Sequence, residues 1–159
     1  VTFLLLKHPV VADMEKSVFN HDLYIAENSN KYDRKENFMN DLFKIGLEKR
    51  KETLGREYVE KNLDQATEFT RPFQEAMTSW CWGFGWGDDT IDPKTRSMMN
   101  LAMIGALGKM HEWEIHCRGA ISNGVSVEEI RAIIHVIGIY CGVPQAVECF
   151  RSAKVVLDE

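Results

Sequence analysis

The four cysteines of this 159-residue chain (Cys81, Cys117, Cys141 and Cys149) include no CxxC pair and no grouping with zinc-ligand spacing. That absence argues against a zinc centre and a dithiol redox site, and the thiols read as reduced side chains of a cytoplasmic protein. Positive charge is not in excess either. The 19 Lys and Arg stand against 24 Asp and Glu, a net charge of −5, which gives no reason to expect nucleic acid or an anionic membrane as partner. No run alternates polar and apolar residues between hairpin turns, so no sheet is expected. A long apolar span is also missing. The start, "VTFLLLKHPVVA", is broken by Lys7 and His8 and has no basic stretch ahead of it, so it reads as neither signal peptide nor membrane anchor.

What is present is helical. Residues 1–36 are an exception: "NHDLYIAENSNKYDRKEN" is polar and aperiodic, and reads as an arm or linker. Residues 37–159 read as one domain of about six to seven helices. Phe38, Leu42, Ile45, Leu47 and Leu54 lie near one helical stripe that Gly55 ends. "REYVEKNLDQATEF" is a more polar helix. "TRPFQEAMTSWCWG" is another, with Thr70 as its N-cap, running into a loop, "GFGWGDD". Asp92 and Pro93 then open a helix as N-cap and first residue. The next helix ends at Asn123-Gly124, Ser126 and Glu129 form a capping box, and Pro144 opens the last helix.

Two of these helices, "SMMNLAMIGALG" and "IRAIIHVIGIYCG", are apolar around most of their circumference. A helix of that kind needs cover on several sides. A small domain cannot supply this twice, so a subunit interface is expected.

The stretch "GKMHEWEIHCRGA" concentrates candidate chemistry. His111 and His116 stand five apart, roughly 140° around a helix, which does not suit two ligands of one metal ion. Glu112 and His116, at i and i+4, share a face. A carboxylate one turn from an imidazole can fix its tautomer and raise its pKa, as a general acid or base requires. An ordinary helix-surface pair is the alternative.

The pieces "FKIGLEKRKETLG", "WCWG", "DPKTRS", "LAMIGALG" and "HEWEIHCRGAISNGVSVEEIRAIIHVIGIYCGVPQAVECFRSA" occur in this order over about residues 40–157. In that series the chain resembles the γ-carboxymuconolactone decarboxylases. The resemblance implies an all-α fold of the alkyl hydroperoxidase D-like type, ring-shaped homo-oligomers (hexamers, with trimers the alternative), no cofactor, and decarboxylation of γ-carboxymuconolactone or a related lactone or unsaturated acid. A cofactor is dispensable because the electron pair left by CO2 is conjugated to the lactone carbonyl. By the same resemblance His116 is the acid-base group, Glu112 its neighbour, and Arg96 a grip for a substrate carboxylate. An ion pair with a glutamate is the structural alternative for Arg96. If its helix and the next turn back near Lys109, Arg96 lies about 9 Å from His116 along the axis. Trp80, Trp82 and Trp86 would wall the pocket, or belong to the core.

The chain departs from that pattern at Phe84, itself a fourth candidate for lining the substrate pocket, where the resemblance leads one to expect glutamate, and at "GDDTID", where a proline-containing turn is usual. The substrate is therefore open to change. Another proton-transfer reaction and a non-catalytic oligomer are the competing readings. The peroxidase branch of the superfamily carries cysteines where this chain has Lys109 and Glu112, and Cys117 has no resolving partner nearby, so thiol peroxidase chemistry is not expected.

Overall fold

The structure, a computed structural model, describes residues 37–159. The arm expected over residues 1–36, and the reading of the apolar start, lie outside the described residues. Those described contain helices and no strand, in agreement with the all-α expectation. In order they are α1 (residues 37–54), α2 (Arg56–Asp64), α3 (Arg71–Met77), a π-helix (Thr78–Gly85), α4 (Pro93–Ala106), α5 (Met110–Ser122), α6 (Val127–Cys141) and α7 (Val143–Leu157). Asp41–Glu159 form one unit. None of the described helices is long and apolar enough to cross a membrane.

Helices α4 to α7 enclose the core. α4 packs on α5 and α6, and α7 closes against α5 and α6. Leu101, Trp113, Cys117, Ile130, Ile134 and Cys149 are fully or almost fully buried there. The Trp113 indole donates to the Leu101 carbonyl at 3.1 Å, so its one polar atom is satisfied inside an apolar core. Gly105 makes room for this packing. A Cβ at that position would lie 2.6 Å from Ile137 Cδ1 and 3.3 Å from Trp113 Nε1.

The expected helix starts hold. Asp92 caps α4, its carboxylate accepting from Thr95 N at 3.0 Å and Thr95 Oγ1 at 2.6 Å. Ser126 and Glu129 form the reciprocal box at α6, with bonds of 3.2 and 2.8 Å. Thr70 does not act as expected. Its backbone is already helical (φ −97°, ψ −23°), whereas an N-cap needs extended backbone. Its hydroxyl accepts from Thr67 N instead. α2 ends at Asp64, short of Phe69, because residues 65–70 are taken up by turns.

Two further differences shape the site. The stripe on α1 is not the expected one: Ile45 is exposed, and Leu42, Gly46, Arg50 and Thr53 are the buried positions. Close approach explains the change. A Cβ on Gly46 would collide with the Thr78 carbonyl and lie 2.5 Å from Gly83 N, and one on Gly83 would run into the Leu42 carbonyl. Glycine meets glycine there, so the helices pack by backbone proximity rather than by large side chains. The second difference is the π-helix, where a helix end and loop were expected. Its wider winding carries the chain from Thr78 to Gly85 before the loop begins at Trp86.

Candidate active site

The close contact of α1 with the π-helix leaves a cavity of about 350 Å³ beside it. α1 contributes Arg50, α2 Tyr58, α3 Gln74, the π-helix Trp82, and α5 Glu112 and His116. His111 borders it from the exposed side.

His116 is held on two sides. Its ring lies nearly parallel to Trp82, with centroids 5.9 Å apart and an interplanar angle of 10°. On the other side its Nδ1 is 2.9 Å from Asn100 Nδ2. An amide nitrogen only donates, so Nδ1 accepts and the hydrogen of the neutral ring sits on Nε2. Burial pushes the His116 pKa down to about 4, with Glu112 opposing that shift. The imidazole is therefore neutral near pH 7, with Nε2–H as its donor. Asn100 sets the tautomer, a task expected of Glu112, and Glu112 does not raise the pKa overall because desolvation is the larger effect.

Arg96 is not brought to this cavity. Its guanidinium donates to the carbonyls of Gly85, Asp88 and Ile91 and lies 5.9 Å from the centre of the Trp86 ring. It ties down the loop that follows the π-helix, and its partners are carbonyls rather than a glutamate. The α4 residue that reaches His116 is Asn100, one turn further on. Of the four aromatic candidates only Trp82 lines the cavity. Trp86 packs on Trp82 from behind, with centroids 4.8 Å apart. Trp80 and Phe84 stack on each other at 4.7 Å and are exposed, away from the cavity. The π winding is the reason: it sets Trp82 inward and turns Trp80 and Phe84 out together.

Arg50 belongs to the site and escaped the sequence reading. It is 4% exposed. Its Nη1 donates to Gln74 Oε1 at 3.0 Å and Thr78 Oγ1 at 3.1 Å, while its Nε has no acceptor among the described residues. Burial holds its pKa below the usual arginine value. The available signal was spacing: Leu42, Gly46, Arg50 and Thr53 recur at intervals of four, four and three, a helical face that happens to carry glycine and a charge.

A buried guanidinium, a neutral imidazole donor and an indole wall line one cavity of an all-α bundle. The carboxymuconolactone decarboxylase family profile matches residues 71–155. The nitrosuccinic acid decarboxylase npaB of Metarhizium robertsii is 46% identical over 108 residues, covering 67% of this chain and 75% of that protein. The 4-carboxymuconolactone decarboxylase of Acinetobacter baylyi is 32% identical over 123 residues, 76% of this chain and 92% of that protein. The chain belongs to the carboxymuconolactone decarboxylase family, and as an enzyme it falls among the carboxy-lyases.

Proposed function

We propose that this enzyme decarboxylates a nitro-dicarboxylic acid of the nitrosuccinic type. The observation that carries the reading is the 46% identity to a nitrosuccinic acid decarboxylase. The cavity supports it, because it offers a cation and a neutral donor. Cleavage of the bond between CO2 and the nitro-bearing carbon leaves an electron pair on that carbon. The nitro group takes up the pair as a nitronate, so no cofactor sink is needed. One proton then adds to carbon, giving the 3-nitropropanoate. The neutral Nε2–H of His116 donates to the oxygen on which charge develops, a contribution that grows toward the transition state. The proton consumed comes from solvent by way of His111 and Glu112 at the exposed side. His116 thus acts as a hydrogen-bond donor and not as a standing imidazolium acid.

The 32% identity to a 4-carboxymuconolactone decarboxylase favours a second reading, with a lactone carbonyl taking the place of the nitro group. Incubation with each compound, following CO2 and product by NMR, separates the two. The expected result is CO2 from nitrosuccinic acid. CO2 only from the lactone acid overturns the substrate assignment, and product without CO2 overturns decarboxylation.

We also propose a homo-oligomer, the hexamer being the form the resemblance implies. Ile139, Tyr140 and Val143 are 77, 83 and 70% exposed. Of these, Ile139 and Val143 edge an apolar groove between α6 and α7 together with Val147 and Phe150. Each side chain of this kind stabilises by roughly 1.5–3 kcal/mol when fully buried, so the face favours association. Light scattering at micromolar concentration should give several times the mass of one chain, and a monomer would overturn the proposal. Four unpaired cysteines suit a reducing compartment, which supports the cytoplasm as location.

A further inference from the structure

We infer that Arg50 binds the carboxylate that the substrate keeps, and so restricts the enzyme to acids with a second carboxylate; the identity of the substrate, though not the anion site, rests on the proposed function. Buried charge is the starting point. Arg50 is 4% exposed, and no salt bridge joins it to a carboxylate among the described residues. A guanidinium withdrawn from water without a counter-ion is unfavourable, and an anion arriving in the cavity removes that penalty.

The hydrogen bonds indicate which edge is available. Nη1 holds Gln74 and Thr78, and these two bonds fix the plane of the guanidinium. Among the described residues Nε has no acceptor, and no hydrogen bond uses Nη2. The Nε and Nη2 hydrogens form one side of the fork. Elsewhere in the molecule Arg118 presents that same edge to Glu159, Nε donating to Oε2 at 2.8 Å and Nη2 to Oε1. A carboxylate is the group that matches two parallel donors at this spacing. A purely structural Arg50, joining α1 to the π-helix, would need only Nη1.

The test uses the whole protein, with succinate as an unreactive diacid and dimethyl succinate as its neutral counterpart. Succinate should bind saturably by titration calorimetry, the diester should not, and Arg50→Met should lose succinate binding. In turnover, the wild type should prefer nitrosuccinic acid to 2-nitropropanoic acid, which lacks the retained carboxylate, by about 10²-fold or more in kcat/KM. Arg50→Met should bring that ratio down toward one, mainly through KM, with Arg50→Lys between the two. Equal losses on both substrates, or unchanged succinate binding in Arg50→Met, would overturn the inference. Should neither nitro acid turn over, the functional reading fails while succinate binding still decides the role of Arg50. If the variants lose their helical circular dichroism, the wild type decides alone: failure to tell succinate from its diester overturns the proposal.

Discussion

The α4–α7 bundle and the α1–π-helix wall are built on opposite rules. In the bundle, Leu101, Ile130, Ile134 and Trp113 exclude water almost entirely, and the Trp113 N–H is matched inside it. In the wall, Arg50, Thr53, Thr78 and Ser79 are buried beside Leu42 and Trp82, and the backbones touch at Gly46 and Gly83. Apolar interdigitation gives the bundle its stability. The wall trades part of that packing for a fixed cation, with one amino group satisfied and Nε buried without an acceptor among the described residues. Two arginines make the point again. Arg96 spends its donors on three loop carbonyls, whereas Arg50 keeps Nε without an acceptor among the described residues. A cation saturated by the backbone ties a loop, and one buried with unmatched donors is the one proposed here to bind substrate.

His116 stands on the bundle but faces the wall, so one substitution tests whether the two regions divide the work. His116→Gln should lower turnover by roughly 10²–10⁴-fold, the share of a positioned group at the reacting centre, with assembly retained. Undiminished turnover would remove His116 from the chemistry. The same variant has a smaller, catalysis-free readout. His116 resists protonation down to about 4 in the folded chain against an ordinary 6.5, so the unfolded chain binds the extra proton first as pH falls. Stability attributable to this residue is therefore present above pH 6.5 and is lost as pH drops toward 4. Chemical denaturation across that window should show the wild type losing on the order of 3 kcal/mol relative to His116→Gln at its acid end. Parallel curves would mean that burial does not control this imidazole.

The division also explains what could be read before the structure. Caps at Asp92 and Ser126 were legible because they are local, with partners three residues on. The helical fold was legible from periodic apolar residues of the kind that fill the bundle. The wall was not, because its buried stripe mixes leucine, glycine, arginine and threonine, a pattern hydrophobicity does not mark. His116 and Glu112 were found at the cavity through their spacing, but the sign of the His116 shift was not, since desolvation depends on Trp82 and on neighbours distant in sequence. Arg96 was assigned through the resemblance in "DPKTRS", a pattern that looks the same whether the arginine meets a ligand or, as here, donates to loop carbonyls.

Phe84 gives the smallest expected effect and the sharpest boundary for the wall. The resemblance invited the idea that glutamate at this position would draw activity toward the lactone acid. In the structure Phe84 is 54% exposed, stacked on Trp80, and absent from the cavity lining. Phe84→Glu removes one stacked aromatic pair, worth about 0.5–1.5 kcal/mol, and places a charge in water. The expected outcome is a melting temperature lowered by a few degrees and kcat/KM on nitrosuccinic acid within about threefold of wild type, since ~0.6 kcal/mol corresponds to a factor near three. Steady-state kinetics on both candidate acids, with the mass of the assembly checked in parallel, decide it. A tenfold or larger change in substrate preference with assembly intact would bring Phe84 into contact with substrate, which this exposed position permits only across a subunit boundary. The wall of the site would then extend beyond one chain, and the Trp80–Phe84 pair would belong to the cavity of a neighbouring copy.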